Sequence, residues 1–467
     1  MQQTENKGLN ISIRSFIMAI VVIFVLMAVS YLLTFLVPGG SYTRVLDGSG
    51  NLIIDTTAAF TYTDGGIPFW KWLLSPVLIL GASGGGTLIA VIVFLLVIGG
   101  VFSCLERCGL MKYMLDKTTC RFGAVRYQLM AVVSLIFMAM GAMIGSFEEC
   151  VPLVPIVVAL AVELGCDPLT GIGMSLLAGG CGFAAGVCNP FTVGVAQQLA
   201  GLPMFSGVWL RLLSFPLIYL LLYGFLSSHA RKIERSLDKL PAAGSFAADA
   251  KMDKGLACFA AILGTGIVMI LCSGFITALQ DYTMIIVAVM FLAAGISASC
   301  LCGMGEKELG KHFLGGIGSI LPAVLMILMA SSIRYTLEEA KILDTILHEA
   351  VEMADHLPGW MVILFIYLVV LVMNFFIPSG SAKAFMLIPL IVPMAQVFDL
   401  SPQLCVVAFA FGDGFSNVFY PTNPALLIAL GLADVGYGDW FRWSGKFQLM
   451  NLVLTSLVLI VGLAAGY

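Results

Sequence analysis

The chain has 467 residues, of which 60% are hydrophobic and 11% charged, and its mean hydropathy is +1.03. Soluble domains carry about 25% charged residues, so these few charges exclude a water-soluble body of this size. A formal net charge of −4 says little alone; where the charges fall says more.

Lys7 and Arg14 bracket the start of an apolar run, Phe16 to Val37. That run is about as long as the roughly 20 residues that cross a bilayer as helix. It reads as a retained first span, since a cleaved signal has a shorter apolar core and a small-residue cleavage site. A polar loop follows from Pro38 to Pro68, and Trp70, Lys71 and Trp72 form an interfacial anchor. Further spans are predicted at 84–104, 128–145, 149–164, 169–200, 207–228, 255–276, 283–302, 313–332, 361–377, 383–398, 402–432 and 445–465. The spans 128–145 and 149–164 are joined only by residues around Ser146 and Glu148, and 361–377 and 383–398 only by Pro378 to Ala382. Each pair reads as a helical hairpin. The spans 169–200 and 402–432 are too long for one straight crossing and are interrupted by Gly, Asn and Pro, so they read as broken helices. The stretch Arg334 to His356 sets Ile342, Leu343, Ile346 and Leu347 against Glu338, Glu339 and Asp344, as expected of one helix lying in an interface. Leu105 to Leu115 has a similar rhythm. Glu163, Arg211 and Asp434 fall near span ends and read as interfacial. The histidines His229, His312, His348 and His356 sit on separate segments, with no metal-ligand spacing.

If each hairpin enters and leaves on one side, the N-terminus and the segments 105–127, 229–254, 303–312 and 433–446 share a face. They hold 17 of the 23 basic residues. The positive-inside rule makes that face cytoplasmic and places Tyr467 outside. Sliding the chain against itself by 234 residues lays 153–190 on 387–424 without a gap. Pro155 then meets Pro389, Pro168 meets Pro402, Gly180 meets Gly414, and Asn189-Pro190 meets Asn423-Pro424. The two hairpins open to opposite faces, so one unit is inserted twice with opposite polarity. The predicted fold is an all-α polytopic membrane protein of two inverted repeats, each with a re-entrant helical hairpin and a broken transmembrane helix. Its parts are an N-terminal span and outer loop (1–68), a first repeat (69–228), a cytoplasmic linker (229–254) and a second repeat (255–467). Such repeats place a substrate site at their interface, near the bilayer midplane.

A helix interrupted in hydrocarbon leaves backbone groups whose desolvation costs several kcal/mol each unless a partner satisfies them. The two breaks, Gly186 to Pro190 and Tyr420 to Pro424, therefore mark where ligands bind, and Asn189, Thr422 and Asn423 belong to the candidate site. The hairpin tips supply Ser146, Glu148 and Glu149 in one half and Ser379, Gly380, Ser381 and Lys383 in the other. Small residues permit close approach, and ionisable residues between apolar arms are functional by default. Asp413 and Asn417 lie in the second broken helix, where an acid could bind a cation, take a proton or pair with Lys383.

The strings Ile-Pro-Ser-Gly-Ser-Ala-Lys-Ala (377–384), Phe-Gly-Asp-Gly-Phe-Ser-Asn (411–417), Tyr-Pro-Thr-Asn-Pro-Ala-Leu-Leu (420–427) and Asn-Pro-Phe-Thr-Val-Gly-Val-Ala-Gln (189–197) carry a resemblance. The chain resembles the YfcC-type basic amino acid antiporters, grouped with the DcuC C4-dicarboxylate carriers in the broader ion transporter superfamily. The resemblance spans about 70 to 450. It implies an elevator-type transporter, with hairpins and broken helices in a mobile domain, and ion-coupled uptake or exchange of organic acids or amino acids. It also implies that the tips bind sodium and a carboxylate. The matching positions are Ser146 with Glu148 and Ser379 with Ser381, and neither tip has the superfamily's Asn-Thr pair.

The expected function is secondary transport of an amino acid, with basic ones such as arginine and ornithine foremost. Glu148, Glu149 and Asp413 outnumber Lys383, which favours an ammonium over a doubly negative cargo. A C4-dicarboxylate is the alternative. An intramembrane enzyme lacks the paired His and acid it would need, and inverted hairpins suit a carrier better than a channel. No cofactor is expected beyond a coupling ion, sodium or proton. The expected partners are a small-molecule substrate, the lipid of an inner (plasma) membrane and a second copy of the chain, with no nucleic acid.

Overall fold

A computed structural model describes residues 13–46, 52–54, 59–82, 85–114, 117, 125–145, 147–203, 205–233, 248–273, 283–354 and 357–467. Ser146 and His356 lie outside the described residues. Among the described residues, eight helical stretches are long and apolar enough to cross a membrane. Their outward faces are apolar: Leu314 is 68% exposed, Leu220 63% and Val453 61%. Apolar residues so placed face lipid.

The N-terminal span α1 covers Ile13–Leu36. The loop after it forms four short strands, β1 (Gly39–Ser41), β2 (Arg44–Leu46), β3 (Leu52–Ile54) and β4 (Thr61–Thr63), with β1 antiparallel to β4 and β2 to β3. The sequence gives no strong alternation over such short runs, so these strands add to a helical expectation. Two short helices, α2 (Phe69–Leu73) and α3 (Ser75–Leu78), carry the tryptophan anchor into α4 (Gly85–Arg107). The first hairpin is α5 (Arg126–Ile144), a tight turn over Glu148–Leu153, and α6 (Val154–Glu163). Gly145 ends α5 in the left-handed conformation (φ +78°), which glycine adopts without steric cost. Leu160 and Leu164 of α6 form one apolar cluster with Leu129 and Val133 of α5.

The first broken helix is α7 (Pro168–Ile172), a wide turn over Gly173–Leu177, and α8 (Ala178–Ala185). It stops at Gly186 (φ +49°) and restarts through Pro190–Gly194 into α9 (Val195–Leu199). Helices α10 (Val208–Ile233), α11 (Ala250–Ser273), α12 (Thr283–Leu301) and α13 (Glu306–Glu339) follow. The predicted interfacial helix 334–356 is not one piece. Residues up to Glu339 continue α13, and α14 begins at Ile342 and ends at Ala354. Its acids are not all solvated either. Asp344 is 5% exposed, because the outer loop folds over it and Arg44 pairs with it at 2.7 Å.

The second hairpin is α15 (Gly359–Phe376) and α16 (Gly380–Val397). The second broken helix is α17 (Pro402–Asn417) and α18 (Pro424–Leu432), and α19 (Tyr437–Ala464) closes the chain. The helices sort into two groups. One packs α1 and α4 against α13, and α12 against α4 and α11. The other packs α17 against α8, α15 and α19, with α10 on α8. Every residue from Leu404 to Asn417 is buried, which puts α17 at the centre of the second group.

Candidate functional site

Lys383 is the third residue after the Ser379–Gly380 junction, so the first turn of α16 aims it inward, where it is 0% exposed. Its ammonium donates to Asp413 Oδ1 at 2.7 Å, to Ile377 O at 3.3 Å, and to Asn374 Oδ1. Asp413 is also 0% exposed. A buried pair survives only where further hydrogen bonds satisfy both ions. Asn374 supplies several: its Nδ2 donates to Asn417 Oδ1 at 2.9 Å, to Ser416 Oγ at 2.7 Å and to Asp413 O at 3.2 Å. Asn417 Nδ2 donates to Asp413 Oδ1 at 3.3 Å, and Asn417 Oδ1 accepts from Asn423 Nδ2 at 2.9 Å. Asn423 then caps α18, accepting from Ala425 N at 2.9 Å. One network thus runs from the second hairpin through α17 into the second break.

The first break meets the same place. Asn189 Oδ1 accepts from Thr192 N at 3.3 Å and so starts the second half of its helix. Thr192 lies against Gly380. A Cβ on Gly380 would stand 2.6 Å from Thr192 Cγ2 and 2.5 Å from Asp413 Oδ2. The crossing of the two halves is equally close at Gly414, where a Cβ would stand 2.4 Å from the backbone of Ala184.

Much of the backbone freed by the breaks finds protein partners. Cys188 N donates to Ala142 O at 3.0 Å, Trp440 Nε1 to Val418 O at 2.9 Å, Tyr437 Oη to Phe419 O at 3.0 Å and Gln448 Nε2 to Phe415 O at 3.1 Å. Protein groups therefore satisfy part of the backbone that the breaks free. Side-chain oxygens are left over instead. Asp413 Oδ2, Thr192 Oγ1 and Thr422 Oγ1 are buried without a hydrogen-bond partner among the described residues. A buried acceptor left unpaired is costly, so these oxygens mark where a donor or cation fits. Among the described residues no cluster of three or more His, Cys, Asp or Glu could hold a metal.

Of the sequence-derived candidates, Gly380, Lys383, Asp413, Asn417 and Asn423 come together, and Asn189 reaches them through Thr192. Thr422 lies in the second break beside Asn423. Ser379 and Ser381 are half-buried, and Ser379 makes no capping bond. Glu148 is half-buried in the first tip and forms no ion pair among the described residues. Glu149 lies in the same turn. Sequence reasoning missed Asn374 and Thr192. A lone amide in the run Val-Met-Asn-Phe-Phe signals Asn374, because a polar side chain there must find a partner. Thr192 gives no such signal, since a threonine can bond its own helix.

The chain matches the family model described as “DcuC: C4-dicarboxylate anaerobic carrier” over residues 16–464. It is 27% identical over 401 residues to the Escherichia coli (strain K12) protein named “Putative basic amino acid antiporter YfcC”, covering 82% of this chain and 79% of that one. Among solved structures, the Alcanivorax borkumensis YdaH transporter is similar with a TM-score of 0.44 at 16% identity, over 97% of this chain and 99% of that one. Neisseria gonorrhoeae MtrF is similar with a TM-score of 0.43 at 16% identity, over 96% and 94%. Since the family match runs over nearly the whole chain, this multi-pass membrane protein belongs to the DcuC family of transporters.

Proposed function

We propose that this transporter moves amino acids, basic ones such as arginine and ornithine foremost, by ion-coupled symport or exchange. The observation that carries the reading is Asp413 Oδ2, a fully buried carboxylate oxygen with no hydrogen-bond partner among the described residues, bordering Gly380 beside Thr192. Lys383 already occupies Oδ1. A substrate ammonium, or a sodium ion or proton, is the complement that Oδ2 and the hydroxyls of Thr192 and Thr422 call for. The name of the Escherichia coli relative points the same way.

Inverted repeats and elevator motion belong to the same reading. Two observations support them. The first hairpin's turn packs on α18 of the second half, while α16 of the second hairpin packs on Pro190–Gly194 and α9 of the first. The hairpins and broken helices also form a group of their own, which α13 joins to α1, α4, α11 and α12 through its contacts with α15 and α18. The basic bias sets the N-terminus inside and Tyr467 outside.

Counterflow from loaded proteoliposomes tests the substrate. Arginine or ornithine should exchange saturably, and collapsing the sodium or proton gradient should abolish accumulation. Exchange of succinate with no exchange of any amino acid would overturn the reading. That outcome is the second reading, a C4-dicarboxylate carrier, which the family description and the buried ammonium of Lys383 favour.

A further inference from the structure

Arg211 was expected at an interface, and the structure buries it completely at 0% exposure in the first turns of α10. Its Nη2 donates to Ser206 O at 3.0 Å, while Nε and Nη1 have no hydrogen-bond partner among the described residues. The guanidinium cannot shed its charge. A buried cation with open donors and no paired acid is a demand for an anion.

The groups around it do not meet that demand. Gln197 Nε2 donates to Ser206 O at 2.9 Å and to Gln403 Oε1 at 3.0 Å, and Gln197 Oε1 accepts from Phe205 N at 2.6 Å. Gln403 Nε2 donates to Ser206 Oγ. These residues tie the end of the first broken helix to the first turn of α17, whose N-terminus adds positive potential. Gln197 belongs to the half-helix that restarts after the first break, and Cys188 lies in that break. The location is therefore electropositive, buried and next to a helix break.

We infer that Arg211 is an anion site that takes the carboxylate of a transported solute. Arginine suits a carboxylate because its planar N–H groups match the two oxygens. The inference rests on the transport reading, and it holds whether the cargo is an amino acid or a dicarboxylate, since both carry that group. Arg211 then sets which solutes are preferred: acids bind more tightly than their decarboxylated or fully amidated analogues.

The test compares arginine with agmatine and succinate with succinamide, its carboxylate-free diamide, in counterflow, for the wild type, R211K and R211Q. In the wild type the acid of the exchanging pair should have the lower KM. R211Q should raise that KM about tenfold or more, as expected for loss of a charge-assisted bond, and leave the analogue's KM unchanged. R211K should fall between. Equal changes for acid and analogue, or none, would make Arg211 structural only. Exchange of succinate alone would sink the amino-acid reading and still test Arg211 through the diamide. If R211Q does not insert, alkylation of Cys188 in the wild type, read by mass spectrometry, decides the matter. Protection by the acid and not by its analogue supports the site. No protection, or the same protection by chloride or phosphate, overturns it.

Discussion

Lys383 and Asp413 decide more than any other residues here. Removing one ion of a fully buried pair leaves the other uncompensated, at about 3–5 kcal/mol. Lys383→Met and Asp413→Asn should therefore each lower the melting temperature in detergent. The double variant should lose less than the sum, because it leaves neither charge stranded. Each single variant should also stop counterflow. Additive losses in the cycle, or wild-type flux in Asp413→Asn, would remove the pair from the site. Both ions were legible in the sequence, as charges inside apolar runs. Their pairing was one of several readings open at that stage, because pairing depends on which faces of α16 and α17 meet. Asn374, which bonds both partners, sits 39 residues before Asp413, and only packing brings them together.

At the level of elements, the broken helices and hairpins were legible because Gly, Asn and Pro interrupt otherwise continuous apolar runs. What those interruptions allow is close crossing. α17 passes α8 at Gly414, where the obstacle to any Cβ is the backbone of Ala184 and not a movable side chain. Gly414→Ala should destabilise the protein by about 1–3 kcal/mol, read as a lower melting temperature and less monodisperse protein. An unchanged melting temperature would show that the two helices can part without cost. The entry to the first broken helix offers a pH-dependent measurement. Asp167 caps α7, accepting from Thr170 N at 2.9 Å, and lies 3.0 Å from His229 Nε2 of α10. Burial pushes its carboxyl up, but the His229 and Thr170 hydrogen bonds outweigh that and hold it below its ordinary value. A lowered folded pKa stabilises above the unfolded value and is lost as pH falls through the folded one. Asp167→Asn keeps a capping oxygen, so near pH 7 it should cost only the charge, roughly 0.5–1 kcal/mol. The gap to wild type should close as pH drops below the usual aspartate range. A gap that persists there would assign the loss to packing.

For the whole molecule, the charge bias and the folded outer loop bear on orientation. The strands between Gly39 and Thr63 are clasped to α14 by Arg44 on Asp344, Tyr62 Oη on Glu349 at 2.8 Å, and the Phe60 ring stacked 4.1 Å from His348. Burial and the nearby carboxylates of Asp344 and Glu352 push the Tyr42 hydroxyl up to about 12, so it stays protonated at physiological pH and shares its hydrogen bond with His348 at 3.1 Å. If the basic residues are cytoplasmic, a tag after Tyr467 and a cysteine placed at Arg44 should both react with impermeant reagents on intact cells, and a tag before Lys7 should not. The opposite labelling pattern would reverse the orientation.

Composition and the spacing of breakers determined the membrane class, the helical hairpins and the two broken helices. These are local consequences of where backbone can and cannot stay hydrogen-bonded in an apolar medium. The tertiary structure decided which polar groups are partnered. It gave the freed carbonyls of the second break to Trp440, Tyr437 and Gln448, joined Lys383 to Asp413 through Asn374, and left Asp413 Oδ2 and Arg211 with open positions. Those outcomes depend on residues far apart in the chain meeting in three dimensions, which no period or motif within a single segment encodes.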